Sequence, residues 1–205
     1  MGDVLLIRHG MCDTVGRVIA GRSAGVHLNP AGLRQARELA RRLQRLPLAA
    51  VYASPLDRAL ETAAPLAEST GLAVRIARGL EELDYGSWTG RTLESLVADP
   101  VWQRYNTARG TTRIPGGETM EEVVARASAE LARMACEHPD APVAAVTHGD
   151  VIRALLAHYA GLALDHMLRL EVAPASVCVV RVSAEPRLLA VNWRADALGE
   201  LPLPR

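Results

Sequence analysis

The chain has 205 residues and a mass of 22.0 kDa, enough for one full-sized core. Its 23 basic residues balance 23 acidic ones, and every basic residue is arginine. That excludes lysine Schiff bases, the P-loop lysine and the kinase strand lysine. Zero net charge and 3% aromatic content also remove the basic surface and stacking platforms of a general nucleic-acid binder.

Val4–Ile7 is a continuous apolar run and reads as a strand buried on both faces. A Gly-containing loop follows to Asn29, a predicted N-cap, with Pro30 opening a helix to about Leu46. Ala49–Ala53 reads as a strand, Pro55–Ser69 as a helix stopped by Gly71, and Leu72–Ala77 as a third strand. Leu80–Gly90 is irregular. Leu93–Tyr105 reads as one helix, Asn106–Gly117 as a mobile polar loop, and Glu118–His138 as a long amphipathic helix. Val143–Val146 is another apolar strand, followed by a helix over Val151–Ala160 closed by Gly161. Ser176–Val182 and Leu188–Trp193 read as a terminal hairpin, and residues 198–205 as a frayed tail.

This alternation predicts an α/β fold over residues 1–205. It is a single three-layer α/β/α domain, with a mostly parallel central sheet and helices on both faces. Cys12, Cys136 and Cys178 form no C-x-x-C pair and read as reduced thiols. No apolar stretch approaches the roughly 18 residues of a membrane span, and the N-terminus does not read as a signal peptide. A cytoplasmic protein without a membrane or nucleic-acid partner is expected; the sequence names no oligomeric state.

Two segments echo each other: VLLIRHG at the start and VAAVTHG at 143–149. Each is a buried strand ending in His-Gly. Ligands of open α/β sheets bind beyond the strand carboxyl ends, so His9 and His148 converge there if their strands are neighbours. A lone strand-end histidine is ordinarily structural, but two at equivalent positions point to a site. His148-Gly149 precedes a helix, where Asp150 could cap and free N–H groups could face an anion. Arg8 adjoins His9, and Arg58 begins the helix after another strand. Their planar forks suit phosphate oxygens, and their charge keeps a nearby imidazole unprotonated.

Competing motifs fit less well. Gly21–Gly25 matches G-x-S-x-G around Ser23, but no strand-turn-helix surrounds it. No cysteine is followed at the right distance by the arginine of a cysteine phosphatase. His9, His148 and Glu82 could ligate a metal, but adjacent arginines would oppose a cation.

The ordered set of motifs resembles the histidine phosphatase superfamily, or phosphoglycerate mutase-like family, in its small phosphatase branch. It comprises Arg8-His9-Gly10, Leu28–Gly32 with Gln35-Ala36, and Ser54–Ala59 with Thr62-Ala63. Leu80–Glu82 with Gly86, Trp88 and Gly90 follows, then Pro115–Thr119 and Thr147–Gly149. The resemblance implies that His9 becomes phosphorylated, that Arg8, Arg58 and His148 form the phosphate pocket, and that Glu82 donates a proton to the leaving oxygen. Glu81 is the adjacent alternative. Tyr85 matches a substrate-side aromatic, and Gly10 and Gly149 are candidate phosphate contacts. The pattern departs at Met11, Cys12 and Val15, where the family often has Glu, Ser/Thr and Asn; Thr14 or Arg22 is the candidate replacement for the missing Asn. The implied partner is a small phosphorylated metabolite, with no cofactor and no metal. Glu82 and Gly117 are only 35 positions apart, without the paired-arginine insert of family mutases. Hydrolysis of a phosphomonoester is therefore expected ahead of a mutase or a non-catalytic phospholigand-binding relative. Arg104, Arg109 and Arg113 could reach a second anionic group, but loop solubilisation is the favoured reading.

Overall fold

The computed structural model describes residues 2–196 and Leu201. Apart from Leu201, the tail read as frayed lies outside the described residues. Six strands form one mixed sheet: β1 (Gly2–Arg8), β2 (Ala50–Ala53), β3 (Val74–Ile76), β4 (Val143–Thr147), β5 (Val177–Val182) and β6 (Arg187–Trp193). Their order is β3-β2-β4-β1-β5-β6. The β3, β2, β4 and β1 strands pair in parallel, whereas β5 runs antiparallel to both β1 and β6.

Alternation along β1 splits the core in two. Leu5 and Ile7 pack with Leu39, Ala63 and Leu66 on the side of α1 (Pro30–Leu43) and α2 (Asp57–Thr70). Val4 and Leu6 pack with Val123, Leu131 and Leu155 on the opposite side, among residues of α5 (Met120–Glu137) and α6 (Gly149–Tyr159). All four β1 residues are fully buried, which is why the strand reads as a continuous apolar run. The remaining helices, α3 (Leu93–Leu96) and α4 (Pro100–Thr107), cap one end of the second core through Leu96 and Tyr105.

Helix ends follow local chemistry. Asn29 accepts the Gly32 N–H at the start of α1, and Thr119 and Glu122 form a reciprocal capping box on α5. The single helix expected over Leu93–Tyr105 is two. Asp99 caps Val101 and Trp102 ahead of Pro100, whose missing N–H and fixed φ start a new helix rather than extend the old one. The expected mobile loop is also anchored: α4 runs to Thr107, and Arg109, Thr112 and Ile114 are buried beyond it. Leu164–Arg169 forms 3₁₀ turns where the sequence suggested no element.

One register positions the site. Arg8 lies opposite Thr147 in the parallel β1–β4 pair, so the next residues, His9 and His148, leave the sheet side by side.

Candidate active site

The two imidazole centroids are 5.3 Å apart, although the residues are far apart in sequence. His9 Nδ1 donates to the Gly10 carbonyl at 2.7 Å, which leaves the Nε2 lone pair available. Three buried donors beside it have no protein partner among the described residues: Arg8 Nε, Arg58 Nη1 and His148 Nδ1. Each side chain is fixed through another atom. Arg8 Nη1 donates to Val172 O at 2.7 Å, Arg58 Nη2 donates to Gly21 O at 2.7 Å, and His148 Nε2 is hydrogen-bonded to Ser54 Oγ at 2.8 Å. Buried donors are nearly always satisfied, so three together with a nucleophilic lone pair describe a seat for an oxyanion.

A cleft of about 360 Å³ opens over this seat. Its walls include Arg8, His9, Thr14, Arg58, Glu82 and Gly149. His148 is fully buried behind them. Gly149 is small for a reason: a Cβ there would sit 3.1 Å from Arg8 Nε.

Burial, then Arg58 and Arg8, pushes the His9 imidazole down to about 3, against the opposing pull of the Gly10 carbonyl. Burial also lowers His148, with Arg58 next. Glu82 moves the other way, to about 7, because burial and then Asp150 disfavour its charge more than Arg58 and Arg8 favour it. A neutral imidazole and a protonated carboxyl thus coexist over mildly acidic to neutral pH. Glu81 faces elsewhere, in ion pairs with Arg22 and Arg78 at 3.6 and 3.5 Å.

Two sequence expectations are corrected. Gly10 does not line the cleft: its N–H donates to Thr62 Oγ1 at 3.0 Å, and its lack of a side chain lets the loop pass Gly32, whose carbonyl would meet a Cβ at 2.8 Å. Arg22 is likewise committed elsewhere, to Glu118 at 2.9 Å and to the Glu82 carbonyl at 2.9 Å. Of the two candidates for the missing Asn contact, only Thr14 faces the cleft.

Asp150 lies inside the first turn of α6 and is not its cap; it accepts the Tyr85 hydroxyl and pairs with Arg153 at 3.2 Å. Asp150, Arg153 and Arg109 all line the cleft. Arg153 was discoverable, since it stands four residues after Gly149 and so shares its helix face. Arg109, read as loop-solubilising, is instead buried at 4% exposure in the cleft wall. Ser54 and Thr62 do belong to the quoted motif, but their roles as holders of His148 and Gly10 appear only in three dimensions. All three cysteines are unpaired, and burial raises Cys12, 3.8 Å from His9 Nδ1, to about 11. Among the described residues, no helix is long and apolar enough to cross a membrane.

The sequence profile of the histidine phosphatase superfamily (branch 1) matches residues 4–194. The chain belongs to that superfamily. It is 30% identical over 204 residues to a probable phosphoglycerate mutase of Enterobacter sp. (strain 638), covering 98% of this chain and 94% of that protein. A glucosyl-3-phosphoglycerate phosphatase of Mycobacterium tuberculosis is 34% identical over 164 residues, covering 75% of this chain and 73% of the relative. The solved native structure of a mycobacterial glucosyl-3-phosphoglycerate phosphatase superposes with TM-score 0.83 at 30% identity, over 94% of this chain and 99% of that one. A putative α-ribazole-5'-P phosphatase from Escherichia coli shares the fold, with TM-score 0.84 at 22% identity over 97% of this chain and 99% of that one.

Proposed function

We propose that this histidine phosphatase superfamily member hydrolyses phosphomonoesters of small metabolites through a phosphohistidine on His9. The observation that carries the reading is the three buried donors, unpartnered among the described residues, on Arg8 and Arg58 of the His9 cleft and on His148, whose ring centroid is 5.3 Å from that of His9. A phosphoryl group seated on Arg8, Arg58 and His148 has its developing equatorial charge met by fixed donors. His9 Nε2 attacks phosphorus in line while the bond to the leaving oxygen breaks. Glu82 gives that oxygen its proton, and the alcohol leaves. Ionised Glu82 then takes a proton from water, whose oxygen attacks the phosphohistidine; inorganic phosphate departs and His9 is regenerated.

The likeness to a probable phosphoglycerate mutase keeps one alternative: transfer of the phosphoryl group back to a sugar acid. A panel of phosphomonoesters separates the readings. Phosphate release by the wild type, abolished in His9→Ala and little changed in Ser23→Ala, is the expected result. Primer-dependent isomerisation of 3-phosphoglycerate without phosphate release would replace hydrolase by mutase. Binding without either reaction would indicate a non-catalytic phospholigand-binding protein.

A further inference from the structure

In the proposed hydrolysis Glu82 must hold a proton and keep its place, yet it sits in a segment without regular structure. Its Oε1 accepts the Leu83 N–H at 2.9 Å, which leaves Oε2 to carry the proton. Three residues on, the Tyr85 hydroxyl donates to Asp150 Oδ2. Asp150 stands in the first turn of α6, two residues after His148, and its Oδ1 accepts from Arg153 Nη1 at 3.2 Å. A tether therefore runs from the acid segment to the turn that carries His148. The Tyr85 ring is packed as well: a Cβ on Gly21, whose carbonyl fixes Arg58, would lie 3.5 Å from its Cδ2. Burial, then Asp150, raises the phenol well above its ordinary range, so ionisation does not break the link.

Glu82 and Asp150 are two carboxyls lining one cleft. Like charges at one site oppose each other, so one of the two keeps its proton. Asp150 has a counter-charge in Arg153 and a donor in Tyr85, whereas Glu82 has no ion pair among the described residues. Arg8 at the end of β1 and Arg58 on α2 favour ionised Glu82, less strongly than burial and Asp150 oppose it. Arg22 and, from α5, Arg126 donate to its backbone carbonyl, and both are paired with Glu118. Its chain neighbours Glu81 and Asp84 turn to Arg22. Tyr105 on α4 is a neutral phenol and His9 a neutral imidazole over the working range. Arg109 and Arg153, in the same cleft wall, both face Asp150.

We propose that Asp150 is a positioning residue for the proton-donor step: it tethers the acid segment to α6 through the Tyr85 hydroxyl, and its fixed negative charge keeps the proton of the carboxyl pair on Glu82. This rests on the phosphatase reading and adds to it the group that governs the acid. A carboxyl governed in this way serves both halves of the reaction. It is an acid toward the leaving oxygen and then, ionised, a base toward water.

The test reads kcat/KM against pH for two monoesters: 4-nitrophenyl phosphate, whose phenolate leaves unaided, and the fastest alkyl ester of the panel, whose alkoxide needs the Glu82 proton. Asp150→Asn is expected to move the alkaline limb of the alkyl ester to lower pH by about one unit, and Asp150→Glu to keep it near the wild-type position. Tyr85→Phe retains the charge and loses the tether. It should not move the limb to lower pH, but should slow the alkyl ester by about 10-fold, the usual worth of a hydrogen bond to a charged group, and the aryl ester far less. The aryl ester, assayed on the same preparation, reports whether the phosphate seat is intact. A limb unmoved in Asp150→Asn, a limb moved equally in Asp150→Glu, or equal losses for the two esters in Tyr85→Phe would overturn the inference. If the wild type releases phosphate from no alkyl ester, the phosphatase reading itself has failed, and this inference with it.

Discussion

At the scale of single residues, the site works by driving two titrations apart. His9 is neutral above about 3 and Glu82 keeps its proton below about 7, so the reactive pair exists between those limits. The pH profile of kcat/KM should be a bell whose alkaline limb falls near 7 as Glu82 loses its proton. Glu82→Gln should remove that limb together with most of the rate; an alkaline limb unchanged in the variant would assign it to another group. Stability carries the same signature. The folded carboxyl titrates near 7 and the unfolded one near its ordinary 4.5, so between these values the folded chain binds more protons. Stability from this group is therefore full below about 4.5 and lost as pH rises through 7. Glu82→Gln should have a higher Tm than wild type at pH 8, with the gap closing by pH 4. The opposing contribution of His9 is common to both proteins and cancels. A gap of the same size at both pH values would contradict the shift.

At the scale of elements, the acid segment has no regular structure and must be held from outside. Arg126 on α5 does much of this: Nη1 donates to Gly79 O and Glu81 O at 2.8 and 2.7 Å, and Nη2 to Glu82 O at 3.2 Å. Its Nε is paired with Glu118 at 2.9 Å, and Glu118 also accepts the Asp84 N–H and pairs with Arg22. Loss of this brace frees the Glu82 segment, whereas the hydrogen bonds that fix Arg8, Arg58 and His148 do not involve Arg126. Arg126→Met should lower kcat by about 10²-fold while leaving KM nearly unchanged, since misplacement of about 1 Å has that cost. An equal rise in KM would show that the segment also shapes substrate binding. None of this was legible in the sequence. The Leu80–Glu82 motif marks where the acid lies, but only the packing of α5 reveals what fixes it. The helices that were legible have strong local signals, such as Asn29-Pro30 opening α1 and Gly71 closing α2 in a left-handed conformation. Where the reading failed, a local breaker at Pro100 split the amphipathic pattern, and burial of Arg109, Thr112 and Ile114 anchored what composition marked as a polar loop.

At the scale of the whole molecule, topology does what no segment does alone. The crossover that seats β4 beside β1 sets two His-Gly turns next to each other, and α2 delivers Arg58 to the same rim. The repeated strand-His-Gly pattern made this meeting legible, because buried parallel strands are continuous apolar runs and their carboxyl ends share one edge of the sheet. The antiparallel β5 and β6 were legible as a hairpin, but β5 was not legible as the partner of β1, since pairing across the sheet leaves no mark in local sequence. The place of Arg109 in the cleft wall was not legible for the same reason: it arises from tertiary packing.

The central claim is that this shared rim makes His9 a phosphoryl carrier. Rapid quench of the enzyme during turnover of a phosphate-labelled monoester tests it most directly. Acid-labile, base-stable label mapped to His9, formed and discharged at rates compatible with turnover, is the expected result. Turnover with no labelled enzyme, or with label on any other residue, would contradict it.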